Sequence, residues 1–455
     1  MDTESDLMAE NLDKTFAIYT LGCKVNQEES AAIANVFAEH GWRQVPFGEA
    51  AAVTVINTCT VTQIAEKKSR NILRRAQAAN PQTFLAATGC YVQMKPDEAA
   101  KIDGVDLLLG ANEKDLLFGL ASKGAALKQK TGSVSRRRQV SDARSITAYR
   151  EIGNINSRTE RTRAFVKIED GCNQFCTYCI VPYVRGPVRS RPAKAVLDEI
   201  AALAEAGYRE VVLTGIHTGA YGRELGEEDA FASLVAQAAA VKGLKRLRLG
   251  SIEPHELSGR LLALMAENPV ICPHFHIPLQ AAADEVLRAM GRTYDMAFYF
   301  DLVGRIRAAL PQAAITTDII AGFPGETDAL FAEGLENIKR LAFADAHIFP
   351  YSRRPGTPAA ALPGQVLNAE KNARAARIAK AVAESRRAFR GRVLGRQIEF
   401  LAERVQLHNG KRGAVGYTAD YLPVFAEGIS AEPGELLTVR AKGLTPDDEI
   451  LAGAD

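Results

Sequence analysis

No apolar run in this chain approaches the ~18 to 20 residues needed to cross a bilayer, because charges or glycines interrupt every candidate. A membrane role therefore has no support. The amino terminus, MDTESDLMAENLDK, lacks the basic start, apolar stretch and small-residue cleavage site of an export signal, so a cytoplasmic protein is expected. Net charge is also nearly absent, at +2, a total that says little about partners and shifts attention to where the charges lie. Cysteine is scarce, with seven in 455 residues, and a cytosolic compartment keeps thiols reduced, which argues against a disulfide framework. What the chain does have is length and 47% hydrophobic residues, enough for two or three packed units with real cores.

Short apolar strands alternate with amphipathic helices from the start: Thr15 to Leu21, then a helix from about Gln27; Ala52 to Ile56, then a helix from about Thr62; Thr83 to Ala87; Val105 to Leu109. The pattern predicts a small parallel α/β domain over residues 13–125. In such sheets ligands collect outside the carboxyl ends of the strands. Cys23, Cys59 and Cys90 each fall two or three residues past an expected strand end, so three sequence-distant thiols should converge on one crevice. From Lys123 to Arg163 periodicity fades and eleven Lys or Arg face three acids, which reads as an exposed basic linker, placed at 126–160. A second alternating series follows, with strands near Val166 to Ile168, Glu210 to Leu213, Arg246 to Leu249, His274 to Leu279, Ala314 to Ile320 and Asp345 to Phe349. Six units of this kind predict a full or partial βα barrel over 161–396, closed by a long helix from about Ala369 to Arg390. The tail, 397–455, returns to short apolar runs and fits a small β-barrel.

Cys172, Cys176 and Cys179 stand in CxxxCxxC spacing in a loop directly after the first strand of the second series. Structural zinc prefers four closed ligands and a [4Fe-4S] cluster takes four thiolates, so three thiolates leave one metal position open to a substrate. The amino and carboxylate groups of S-adenosylmethionine suit that position, and the cofactor then carries the radical chemistry. The alternative is a zinc knuckle completed by a distant His or Cys. For Cys23, Cys59 and Cys90 the alternative is that they are small buried hydrophobes at strand ends. Cys272 stands alone and is assigned to core or surface.

The CxxxCxxC loop resembles that of the radical S-adenosylmethionine superfamily. Cys179-Ile-Val-Pro-Tyr-Val-Arg185-Gly186-Pro-Val-Arg189-Ser-Arg191-Pro192, with an upstream three-cysteine domain and a terminal β-barrel, narrows the resemblance to the methylthiotransferases, from about Thr15 to the end. Leu21-Gly22-Cys23-Lys24-Val25-Asn26-Gln27, Asn57-Thr58-Cys59-Thr60-Val61-Thr62, Lys68-Ser69-Arg70 and Thr214-Gly215-Ile216-His217 are most similar to the branch that modifies N6-threonylcarbamoyladenosine at position 37 of tRNA. This resemblance implies a second [4Fe-4S] cluster on Cys23, Cys59 and Cys90 that delivers sulfur. It also implies two uses of S-adenosylmethionine, one for methylation and one for radical formation, and replacement of the adenosine C2 hydrogen by a methylthio group. The implied partners are the tRNA anticodon loop and a low-potential electron donor such as flavodoxin or ferredoxin. Related branches act on isopentenyladenosine or on a ribosomal protein aspartate, and a non-catalytic RNA-binding protein with structural zinc is the remaining alternative.

Barrel active sites occupy the carboxyl-end rim, where Ser251 to Pro254, His276 to Gln280, Asp318 to Glu326 and His347 to Pro350 lie. The resemblance places Glu253, Gln280 and Asp318 along the S-adenosylmethionine pocket; Gly215, whose lack of a Cβ allows close backbone approach to a nucleotide-like cofactor, and Tyr178 are expected there as well. After Gln280 the chain reads Ala281-Ala282-Ala283, where relatives commonly have a Ser-Gly-Ser type turn, so hydroxyl donors are missing there. His217, His255, His274 and His276 are read as structural rather than ligating. Phosphate contacts to RNA are expected from the basic linker, from Arg185, Arg189 and Arg191, and from the nine basic residues between Lys371 and Arg396. The tail resembles a TRAM domain, an OB-like RNA-binding barrel, although residues 397–455 hold five basic and ten acidic residues.

Overall fold

Runs such as Val53-Thr-Val-Ile-Asn-Thr58 and Phe84-Leu-Ala-Ala-Thr-Gly89 are buried at every position, the mark of parallel strands covered on both faces. The computed structural model describes residues 14–153 and 162–454, which divide into two units. The first takes the described residues up to 153 together with 169–175 and 179–191; the second takes 162–168, 176–178 and 192–454.

In the first unit six parallel strands stand in the order Arg43–Gln44, Thr15–Thr20, Val53–Thr58, Phe84–Gly89, Val105–Leu109, Arg137–Gln139. The order reverses between Thr15–Thr20 and Val53–Thr58, and in doubly wound sheets that switch point opens the binding crevice. One core cluster gathers Phe16, Phe37, Val53, Val55, Phe84 and Leu107, and a second gathers Ile56, Leu73, Leu85, Tyr91, Val92 and Leu108. The basic segment expected as an exposed linker is a correction. Its start completes the helix Leu117–Thr131, and Arg137–Gln139 pairs with Leu107 to Leu109 as the sixth strand. The expected boundary near residue 160 lies outside the described residues.

In the second unit the strands Arg163–Lys167, Glu210–Thr214 and Arg246–Leu249 are parallel neighbours, as are His274–His276, Ala314–Ala321 and Asp345–Pro350. Parallel bridges Leu247↔Ile271 and Ser251↔His276 join the two triples, so six strands run in chain order as a partial βα barrel. Helices between them are locally specified. Ser258, Asp295 and Thr327 each cap a helix by accepting from a backbone N–H two or three residues inside it. The tail closes a five-stranded barrel, Gln397–His408, Lys411–Thr418, Pro423–Glu427, Ile450–Gly453 and Leu436–Leu444, around Phe400, Leu422, Val424, Val439 and Ile450. Within this unit Arg246 donates to Glu399 (2.9 Å) and to the Tyr417 carbonyl (3.0 Å), and Arg248 donates to Glu210 (2.7 Å) and to the Ala419 carbonyl (2.8 Å). The Tyr417–Tyr421 ring stack is occupied by Arg163 and Arg248, so this face of the barrel is spent on intramolecular packing. No helix among the described residues is long and apolar enough to cross a membrane.

Candidate functional site

Each of the three amino-terminal cysteines sits at the carboxyl end of a strand: Cys23 three residues after Thr20, Cys59 directly after Thr58 and Cys90 directly after Gly89. Two of those strands flank the switch point. Close approach of the loops depends on glycine. A Cβ added at Gly22, whose φ is +104°, would lie 3.0 Å from the Cys59 Sγ, and one at Gly89, with φ +93°, would lie 2.5 Å from the Thr58 carbonyl. Asn26 ties two of the loops together, donating to the Leu21 carbonyl (2.7 Å) and the Thr58 carbonyl (3.0 Å). Ser69 clamps Cys59, accepting from its N–H (3.1 Å) and facing its carbonyl (2.8 Å).

Two of these thiols titrate away from the ordinary cysteine value. Desolvation pushes the Cys59 thiol up to about 11, and the neighbouring Cys90 and Cys23 add to the rise. Cys23 is exposed as a residue, yet the crevice desolvates its sulfur and raises its pKa, with Arg185 pulling the other way. Burying three thiols side by side is unfavourable for a free thiolate set and suits thiolates neutralised by bound iron. The residues therefore fit an iron-sulfur cluster.

Arg185 is a buried positive charge close enough to these thiols to act on Cys23 and Cys59. Its side chain is 1% exposed and donates to Glu29 (2.6 Å), Asn26 (2.7 Å) and Asp170 (3.1 Å), while Lys114 also pairs with Glu29. Burial alone would lower its pKa, but Glu29, Asp170 and the Cys90 thiol hold it well above the ordinary arginine value. Arg189 donates to the carbonyls of Arg185 and Pro187 and to Asn112, and Arg191 donates to Glu151 (2.7 Å). All three guanidiniums are buried with partners, which corrects the expectation that they form a phosphate-binding surface. Several arginines of the helix Asn368–Gly391 are engaged in the same way. Arg374 pairs with Glu326, Asp328 and Glu370, and Arg390 with Asp345.

Backbone N–H groups already point at two sulfurs of the CxxxCxxC loop: Gln174 donates to Cys172 (3.5 Å) and Val181 to Cys179 (3.4 Å). Such donors suit ligated thiolates. In the second unit Cys176 accepts from Arg292 (3.2 Å), whose guanidinium also pairs with Glu253 and contacts the Tyr294 hydroxyl (3.1 Å). The Tyr294 hydroxyl is within donating distance of the carbonyls of Pro278 and Leu279, just before Gln280. Arg292 and Tyr294 were not singled out from sequence; their only signal is position, beyond the turn that follows Gln280.

The expected pocket residues take varied settings. Tyr178 meets the edge of Phe323, Gly215 follows the strand Glu210–Thr214, and Gln280 adopts φ +65° with its N–H on the Asp318 carbonyl (2.8 Å). Ala281, Ala282 and Ala283 are buried, with the Ala282 carbonyl accepting from Asn337. His217 lies 2.7 Å from Glu256, His255 packs on Phe298, His274 packs on Tyr421, and His276 lies 3.3 Å from Asp318. Cys272 is a fully buried core residue whose thiol is pushed up to about 12 by desolvation.

Residues 15–110 match a family described as Uncharacterized protein family UPF0004, and residues 166–338 match the Radical SAM superfamily. The chain is 38% identical to the Threonylcarbamoyladenosine tRNA methylthiotransferase MtaB of Bacillus subtilis, over 94% of this chain and 93% of that one. It is 35% identical to the protein of the same name from Thermotoga maritima, over 97% and 98% of the two chains. A tRNA-2-methylthio-N(6)-dimethylallyladenosine synthase from Acidothermus cellulolyticus is 35% identical over 95% and 86%. Among solved structures, the radical S-adenosylmethionine methyltransferase TsrM from Kitasatospora setae aligns with a TM-score of 0.55 at 15% identity, covering 76% of this chain and 75% of that one, a likeness of fold.

Proposed function

Since the chain belongs to the methylthiotransferases of the radical S-adenosylmethionine superfamily, we propose that it converts N6-threonylcarbamoyladenosine at position 37 of tRNA to its 2-methylthio derivative. The observation that carries the reading is the meeting of Cys23, Cys59 and Cys90 at the switch point of a sheet whose chain also bears a CxxxCxxC loop. When bound, two [4Fe-4S] clusters and S-adenosylmethionine supply the sulfur, the methyl group and a radical able to abstract a C2 hydrogen that ordinary acids and bases leave untouched.

The chain's own residues hold, orient and insulate. Cys23, Cys59 and Cys90 ligate one cluster, with Asn26 and Ser69 fixing the loops that carry the first two. Arg185 places a permanent positive charge beside those thiolates and offsets the negative charge of a ligated cluster. Cys172, Cys176 and Cys179 ligate the other cluster, and Arg292 donates to the Cys176 sulfur. Tyr178, Gly215, Glu253, Gln280 and Asp318 line the S-adenosylmethionine pocket. With Arg185, Arg189 and Arg191 committed internally, phosphate contacts fall to exposed cations such as Lys67, Lys68 and Arg74 on the helix Gln63–Ala79. A low-potential flavodoxin or ferredoxin supplies electrons, and the protein works in the cytoplasm.

Likeness to the dimethylallyladenosine enzyme leaves isopentenyladenosine as the second reading. Mass spectrometry of tRNA nucleosides from a deletion strain separates them. The methylthiolated threonylcarbamoyl nucleoside should vanish and return on complementation, while the methylthiolated isopentenyl nucleoside persists. Loss of the isopentenyl product instead would overturn the assignment.

A further inference from the structure

Among the described residues, His276, Asp318 and His347 bring two imidazole nitrogens and a carboxylate oxygen within 4.8 Å of one another. We propose that this trio is a binding site for a divalent first-row transition-metal ion, one that uses no cysteine ligand and whose Asp318 borders the proposed S-adenosylmethionine pocket.

The trio is built by strand register. Asp318 and His347 are direct partners on the parallel strands Ala314–Ala321 and Asp345–Pro350, and His276 is the partner of Thr316, two residues before Asp318. Thr316, Asp318 and Ile320 alternate with the buried Thr317, Ile319 and Ala321, so the period of two sets them on the less buried face of the sheet. Asp345 shares the face of His347 but is taken by Arg386 and Arg390, which leaves Asp318 as the carboxylate of the trio.

The donor geometry suits an ion. His276 Nδ1 lies 3.0 Å from the Thr316 hydroxyl, which fixes the ring, and its Nε2 lies 3.3 Å from Asp318 Oδ1. Metal-ligand bonds of ~2.0 to 2.2 Å at cis or tetrahedral angles put neighbouring ligand atoms about 3.0 to 3.5 Å apart; the 3.3 Å between His276 and Asp318 falls in that range, and the His347 nitrogen lies within 4.8 Å of both. With Thr316 accepting from Nδ1–H, a neutral His276 turns its Nε2 lone pair toward the carboxylate, an arrangement that either a bound cation or a second ring proton relieves. A ring held by a second hydrogen-bond partner is the usual setting of a ligating histidine. Two imidazoles and one carboxylate, with no sulfur, suit Mn²⁺, Fe²⁺ or Zn²⁺ and leave positions open for oxygen donors. The site stands whichever tRNA nucleoside is the substrate.

The test is titration of anaerobically prepared holoenzyme with Mn²⁺, its clusters in the oxidised diamagnetic state, followed by loss of the free-ion paramagnetic resonance signal. One Mn²⁺ should bind saturably per chain. His347→Ala, at an exposed position, should weaken binding by more than about tenfold with iron and sulfide content unchanged, and His347→Asp, which keeps an oxygen ligand, should recover most of it. Thr316→Val, which leaves all three ligands but frees the His276 ring, should weaken binding about tenfold. Absence of saturable binding, or equal affinity in the wild type, His347→Ala and Thr316→Val, would mean that a proton alone bridges His276 and Asp318 and would overturn the inference.

Discussion

The two cysteine triplets solve one ligation problem by opposite means. Cys172, Cys176 and Cys179 are carried by eight residues of one loop, so their spacing is a local property of the chain. Cys23, Cys59 and Cys90 come from the ends of three strands and meet only once the sheet has formed its order and register. The first set can tolerate change elsewhere. The second is only as well placed as Asn26, Ser69, Gly22, Gly89 and the buried charges around Arg185 make it.

The largest expected effect separates the sets outright. Cys176→Ala should reduce 5'-deoxyadenosine formation below detection, whereas Cys59→Ala should keep that cleavage, lose about half of the bound iron and make no methylthiolated product. Chromatography of the nucleosides with iron analysis on both variants reads this, and cleavage lost equally in the two would erase the distinction. Next in size is Arg185→Met. Removing the guanidinium takes a buried charge-assisted partner from both Glu29 and Asp170, which should cost about 3 to 5 kcal/mol in anaerobic denaturant unfolding. A loss below about 1 kcal/mol would show that the network is not what holds the sheet-borne set.

The smallest effect concerns the thiols themselves. With the Cys59 thiol pushed up to about 11 from an ordinary 9.0, its thiolate fraction near neutral pH is about a hundredfold below that of an ordinary cysteine. Alkylation of cluster-free protein at Cys59 should be slower by that factor and rise about tenfold per pH unit until pH nears 11. Peptide mass spectrometry across pH measures it, and a Cys59 rate equal to that of free cysteine would contradict a desolvated crevice.

Much of this was legible beforehand. The strands came within a few residues of their observed bounds because largely apolar, fully buried runs ending in polar or glycine turns have few other ways to pack. Two edge strands were not legible. Arg43–Gln44 and Arg137–Gln139 are exposed and polar, carry no alternation, and become strands only by pairing with a preformed neighbour. Arg185 misled because a cation in a sequence looks the same whether it meets phosphate or a buried glutamate. Glu29 lies 156 residues away and nothing local announces it. Arg292 reaches Cys176 across 116 residues, and His347 meets Asp318 through strand register.

By itself the sequence determined the loop-borne triplet, the alternation of strands and helices, and the positions of three more cysteines at strand ends. These need only backbone geometry over a few residues and the burial of apolar side chains. Tertiary structure alone decided which charges became internal, how the strand-end thiols came to share one desolvated crevice, and which imidazoles came to face a carboxylate. Each of those outcomes depends on distances between residues far apart in the chain, and such distances exist only after the sheets have closed.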